Sequence, residues 1–121
     1  MNPQDVLLPI ESLASQLGWS RALVRVVLDA GCPRAGESAS LRWVLAWMRI
    51  NYNAVRNLAG FKPLPPPPDG STMQELATHH MRCYLLTVVE FHASRSTHPR
   101  VKREYEVTAE QLRQRVGDCG E

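Results

Sequence analysis

Long apolar runs are missing from this chain: although 44% of its residues are hydrophobic, none of its stretches approaches the roughly 18 consecutive apolar residues of a membrane span. No membrane partner is expected. The first ten residues, MNPQDVLLPI, contain neither a basic segment nor a long apolar one, which leads to the expectation of a cytoplasmic protein. Cysteine is scarce, and Cys32, Cys83 and Cys119 form neither an even set nor a CxxC pair. That spacing speaks against a disulfide framework and a zinc ribbon, and for free thiols. There is no GxxxxGK[ST] phosphate loop, no acidic cluster suited to magnesium, and no base placed beside Cys32 in sequence. An enzyme is therefore not expected, nor is a cofactor.

Lysine is nearly absent as well. Twelve of the fourteen basic residues are arginine, the side chain whose planar fork matches phosphate and the guanine edge. The net charge of +2 is unevenly spread, with +3 on residues 1–62 and −1 on residues 63–121. A length of 121 residues suits a binding module better than an enzyme with separate cofactor and substrate lobes.

The stretch GFKPLPPPPDGS, residues 60–71, carries five prolines. Proline lacks a backbone donor, so this stretch reads as an extended spacer of about 3 Å per residue. It divides the chain into residues 1–60, a linker at 61–71, and residues 72–121. Before the linker the spacing predicts three helices. The first, Ile10 to Leu17, carries Ile10, Leu13, Ala14 and Leu17 on one face. The second is capped by Ser20, buries Leu23, Val24, Val27 and Leu28, and is stopped by Gly31 and Pro33. The third starts near Ser38 or Ser40 and ends at Leu58. It has one stripe of Leu41, Val44, Leu45, Met48, Tyr52 and Val55 and another of Trp43, Trp47 and Ile50, an arc wide enough to call for packing partners on more than one side.

Beyond the linker, Ser71 with Gln74 reads as a capping box for a helix from about Thr72 to Ser94, its apolar face drawn from Leu76, Ala77, Met81, Tyr84, Leu85, Val88 and Phe91. Such a helix has no core of its own and packs either on the first unit or on copies of itself. In RVKREYEVT the alternation of Val101, Arg103, Tyr105 and Val107 suggests an edge strand, and Thr108 with Gln111 suggests the cap of a last helix, Ala109 to Val116. The expected fold is all-α: a short-winged helix-turn-helix domain, a proline-rich linker and a long C-terminal helix.

Residues 13–33, LASQLGWSRALVRVVLDAGCP, carry the functional expectation. Two helices crossing steeply through a three-residue turn need a small residue where they touch, a residue able to adopt positive φ, and a branched apolar residue in the second helix. Ala14, Gly18 and Val24 stand at those places. Helical geometry then turns Ser20, Arg21, Ala22, Arg25, Val26 and Asp29 outward. That is the face a helix-turn-helix lays in the major groove. Arg21 and Arg25 can fork onto guanine or phosphate, Ser20 can donate to phosphate, and Ala22 or Val26 can touch a thymine methyl. Asp29 either orients Arg25 or neutralises it.

With LRWVLAWM added, this stretch resembles the winged helix-turn-helix shared by phage terminase small subunits, the DNA-packaging proteins, and excisionase-like regulators. The resemblance covers about residues 8–58. It implies structural roles for Ala14, Gly18, Val24, Gly31, Pro33, Val44 and Trp47, and a recognition face at Arg21 and Arg25. The wing would be RAGESAS, which is short, contains Glu37, and leaves Arg34 as its single basic contact. The family also implies double-stranded DNA as ligand, a homo-oligomer, and hand-over of DNA to a large ATPase and nuclease subunit. An excisionase-like or transcriptional regulator is the alternative, and a protein-interaction adaptor without DNA binding is the rival from another class. His79 and Cys83 lie four apart on one helical face, but zinc needs three or four ligands, so ordinary packing or surface histidines are expected and no metal site. The row Arg42, Arg49, Arg56, spaced by seven, reads as a solvated basic edge or a backbone-tracking one.

Overall fold

The computed structural model describes residues 2–116; the expectation for Cys119 lies outside them. A 3-10 turn at Pro3–Asp5 precedes strand β1 (Leu8–Pro9), helices α1 (Ile10–Leu17) and α2 (Arg21–Asp29), strand β2 (Ser38–Ala39), and helices α3 (Leu41–Ala59), α4 (Met73–Arg95) and α5 (Pro99–Val116). The described chain is mostly helical, with one small sheet. β1 and β2 pair antiparallel, Leu8 opposite Ala39 and Pro9 opposite Ser38, in a two-stranded sheet.

Local sequence explains most helix ends. Ser20 and Ser40 accept hydrogen bonds from the N–H groups of Leu23 (3.2 Å) and Trp43 (3.1 Å), satisfying donors that a helix start leaves open. At α4 the capping box is Thr72 with Glu75, one residue later than Ser71 with Gln74. Thr72 N–H donates to Glu75 Oε1 and Glu75 N–H to Thr72 Oγ1, both at 3.1 Å, while the Ser71 hydroxyl is used inside the preceding turn on the Pro68 carbonyl. Inside α3 the backbone leaves helical values at Asn51, whose side-chain amide donates to the Trp47 carbonyl at 2.9 Å. Such back-bonding competes with the helical ladder.

The largest correction concerns residues 99–107, which are helical rather than an edge strand. Val101, Tyr105, Ala109, Leu112 and Val116 recur at four- and three-residue steps, and Pro99 opens the helix where its missing N–H costs nothing. Period two and period 3.6 coincide over so few residues. The last helix thus starts ten residues earlier than the expected Ala109 and forms a long partner for α4, which packs on both α3 and α5. Because α4 has partners on two sides, its buried residues are Cys83, Leu86, Thr87, Phe91 and Ala93 rather than one stripe, and Ala77 and Leu85 stay exposed.

One apolar core runs from Leu13, Leu23, Val24 and Val27 through Val44, Met48 and Val55 to Leu86, Phe91 and Ala109. Each large side chain fully buried there contributes about 1.5–3 kcal/mol. The proline-rich segment is strapped onto that core. Asn53 donates to the Leu64 carbonyl at 3.2 Å and accepts from Leu64 N–H at 2.8 Å, Arg56 Nε donates to the Lys62 carbonyl at 2.6 Å, and His79 Nε2 meets the Pro65 carbonyl at 2.9 Å. The second stripe of α3 is only partly covered: Trp43 is 40% and Ile50 66% exposed.

Candidate nucleic-acid interface

The interface is built around the break between α1 and α2. Gly18 ends α1 at φ +72, a left-handed conformation that a side chain disfavours, and nothing lies within 4 Å of where its Cβ would be. Glycine is required there for backbone freedom rather than for space. Trp19 then turns inward against Tyr84 of α4, ring centroids 6.1 Å apart, and Ser20 starts α2. On α2 the residues Leu23, Val24, Val27 and Leu28 are buried, and Ser20, Arg21, Ala22, Arg25 and Asp29 are exposed. Val26 departs from the outward set. It is half-buried and packs against the core, so it offers solvent less than a full side chain.

After α2 the chain makes a tight hairpin. Ala35 and Ser38 exchange both backbone hydrogen bonds, at 2.7 and 3.0 Å, across Gly36 and Glu37, with Gly36 at φ +63. The hairpin leads into β2 and brings Glu37 toward α2. Cys32, just before it, is buried, and burial pushes its thiol up to about 11 against the opposing influence of Arg34. It packs as an inert apolar group.

All three arginines expected to contact DNA have carboxylate partners. Arg21 Nη1 lies 3.2 Å from Glu11, Arg25 Nη2 3.6 Å from Glu37, and Arg34 Nη1 3.4 Å from Asp29. Asp29 therefore neither orients nor neutralises Arg25; it serves Arg34, five residues on. Every member of these pairs is at least 41% exposed. Exposed pairs are worth about 0–1 kcal/mol, so breaking them costs little.

Ser20 is held from the far side of the molecule. Its backbone N–H donates to His92 Nε2 of α4 at 3.2 Å, and burial holds the His92 pKa below the usual histidine value. A neutral ring with its proton on Nδ1 satisfies this bond. Two grooves flank α2: one is lined by Ile10, Glu11, Arg21, Arg25 and Glu37, the other by Trp19, Ser20, His92, Arg95, Val101 and Tyr105. Ala22 lines both, so the exposed face of α2 is a ridge between them.

The row of arginines on α3 is not a basic edge. Arg42 pairs with Asp5 at 2.6 Å, and Arg56 is only 4% exposed, donating to Thr87 and to Glu90 (3.3 Å), which Arg113 approaches from α5 at 3.7 Å. Arg49 alone of the three stays exposed without an ion-pair partner among the described residues. His79 and Cys83 lie 3.5 Å apart, and His80 Nδ1 is 3.1 Å from the Tyr52 hydroxyl. Among the described residues no three His, Cys, Asp or Glu side chains converge, and no helix is long and apolar enough to cross a membrane. Compared with known proteins, the chain matches no family model, no curated protein and no solved structure.

Proposed function

We propose that this protein binds double-stranded DNA through a short-winged helix-turn-helix, with α2 as the recognition helix and the Ala35–Ser38 hairpin as its wing. The observation that carries the proposal is the ridge: Ser20, Arg21, Ala22 and Arg25 project beyond a helix whose opposite face is fully buried. The three-residue turn with its left-handed Gly18 and the sheet-forming hairpin beside α2 support it. In this proposal Arg21 and Arg25 leave Glu11 and Glu37 for guanine edges or phosphates, and Ser20 donates its hydroxyl to phosphate while still capping α2. The setting is DNA packaging of the terminase small-subunit kind, in which the chain forms a multimer and delivers DNA to an ATPase and nuclease partner without doing chemistry itself. A transcriptional or excisionase-like regulator differs in assembly, as a monomer or dimer on one site, and the mass in solution by light scattering separates the two.

The pairing of Arg21, Arg25 and Arg34 with Glu11, Glu37 and Asp29 favours a second assignment, an interaction adaptor whose ridge meets protein. Affinity for duplex DNA at two salt concentrations decides between them. Phosphate contacts give a steep loss of affinity with salt and an adaptor gives none. Replacing Arg21 and Arg25 together by Ala is expected to remove most sequence-specific duplex affinity and leave the melting temperature unchanged. Undiminished binding by that variant excludes α2 as the recognition helix.

A further inference from the structure

Among the described residues, the arginines of α2 have carboxylate partners, and the positive charge that lacks one lies elsewhere. Between Glu90 and Glu104 the chain has no acidic residue and four cations, Arg95, Arg100, Lys102 and Arg103. Arg95 is the last residue of α4, and the other three fall within the first five of α5, so the cluster occupies the tip of the α4–α5 hairpin. Among the described residues none of the four forms an ion pair. Lys102 faces a groove shared with Glu90, Glu106 and Glu110. Arg95, Arg100 and Arg103 are exposed, and the Arg95 guanidinium is steadied 4.1 Å above the Phe91 ring.

The tip has a fixed place relative to α2. The bond from Ser20 N–H to His92 and the contact of Trp19 with Tyr84 clamp α4 to the turn before α2, and Arg95 lines the groove on one side of the ridge. The groove on the other side is lined by Arg21 and Arg25 together with their own carboxylate partners, Glu11 and Glu37. Among the described residues the groove at the tip has no acidic residue in its lining. An α-helix in the major groove has a sugar-phosphate strand on either side of it, and a cluster of like charges is relieved by a polyanion.

We infer that the α4–α5 tip is a second DNA-contact surface, in which Arg95, Arg100 and Arg103 hold the phosphate strand running beside α2. This rests on the proposed function: α2 reads the groove, and the tip supplies sequence-independent affinity that the neutralised face of α2 does not. Contacts of this kind position the protein and carry no base preference.

The test measures binding of the full chain to a random-sequence DNA duplex across a salt series. It compares the unaltered protein, Arg95→Gln/Arg100→Gln/Arg103→Gln, and Arg100→Gln/Arg103→Gln, which keeps the Arg95–Phe91 contact. Each lost phosphate contact lowers the slope of log affinity against log salt by about 0.9. The triple variant is expected to lose about 2 to 3 units of slope and the double variant about 2, both with unchanged helical circular dichroism. A protein that binds duplex DNA with the same slope in all three forms overturns the tip assignment and leaves the assignment of α2 standing. If the unaltered chain binds no duplex at any salt, both fall.

Discussion

The backbone N–H of Ser20, at the start of the exposed helix, is bonded to His92 Nε2, seventy-two residues away in sequence, at 3.2 Å. This ties the geometry of the proposed recognition helix to the protonation of a half-buried ring. Burial lowers the His92 pKa from 6.5, so the folded protein favours the neutral form more than the unfolded chain does. The resulting stability is complete above pH 6.5 and is lost as pH falls through the depressed folded value. His80, also lowered by burial and by His79, acts with the same sign. Urea midpoints measured from pH 7.5 down to pH 5 are expected to fall. His92→Gln, which keeps an acceptor for Ser20 without titrating, should fall less; an identical decline in that variant removes His92 as a contributor.

Under the proposed function, the carboxylates beside α2 compete with DNA for the same guanidinium groups. Glu11→Gln with Glu37→Gln is expected to raise duplex affinity and steepen its salt dependence, because Arg21 and Arg25 no longer exchange one anion for another. Exposed pairs contribute little to folding, so the melting temperature should hardly move. Weaker or unchanged binding in a titration would show that these two arginines do not face DNA.

Glu90 stands between Arg56 and Arg113 and is 18% exposed on its side chain, with Arg56 almost wholly enclosed. Removing one partner of a buried pair leaves the other charge uncompensated, at about 3–5 kcal/mol. Glu90→Ala is therefore expected to destabilise by about 3 kcal/mol in urea unfolding. A loss below about 1 kcal/mol, the range of an exposed pair, would show that solvent already reaches Arg56.

Gly18 provides a test confined to the backbone. Its φ of +72 and the open space around it mean that Gly18→Ala costs only the left-handed strain, about 1–2 kcal/mol, with Gly18→Asn costing less. Equal stability of the Ala variant would mean that the turn relaxes away from positive φ.

Elements governed by neighbouring residues were legible in the chain. Gly18 and Ser20 mark the end of α1 and the start of α2, Ser40 is the one of two candidate caps that α3 uses, and the buried sides of α1 and α2 follow the spacing of Leu13, Ala14, Leu23, Val24, Val27 and Leu28. The strand expected at Val101–Val107 failed because Val101 and Tyr105 fit either period; the helical stripe shows only when carried on to Ala109, Leu112 and Val116. The capping box slipped by one residue because STMQE satisfies the pattern in two registers, and only the use of the Ser71 hydroxyl by the Pro68 carbonyl separates them. The tip arginines lie in an acid-free run from Phe91 to Arg103 that is readable in the sequence, but only the α4–α5 hairpin gathers them at one end of the fold.

The sequence by itself determined where α1 and α2 begin and end and which side of each turns inward, because capping, left-handed glycine and helical periodicity act over three or four residues. Tertiary structure alone decided the electrostatics of the outward side. Glu11 meets Arg21, Glu37 meets Arg25, Asp5 meets Arg42 and Glu90 meets Arg56 across separate elements, and a Coulomb interaction depends on distance in space, which the order of residues along the chain does not set.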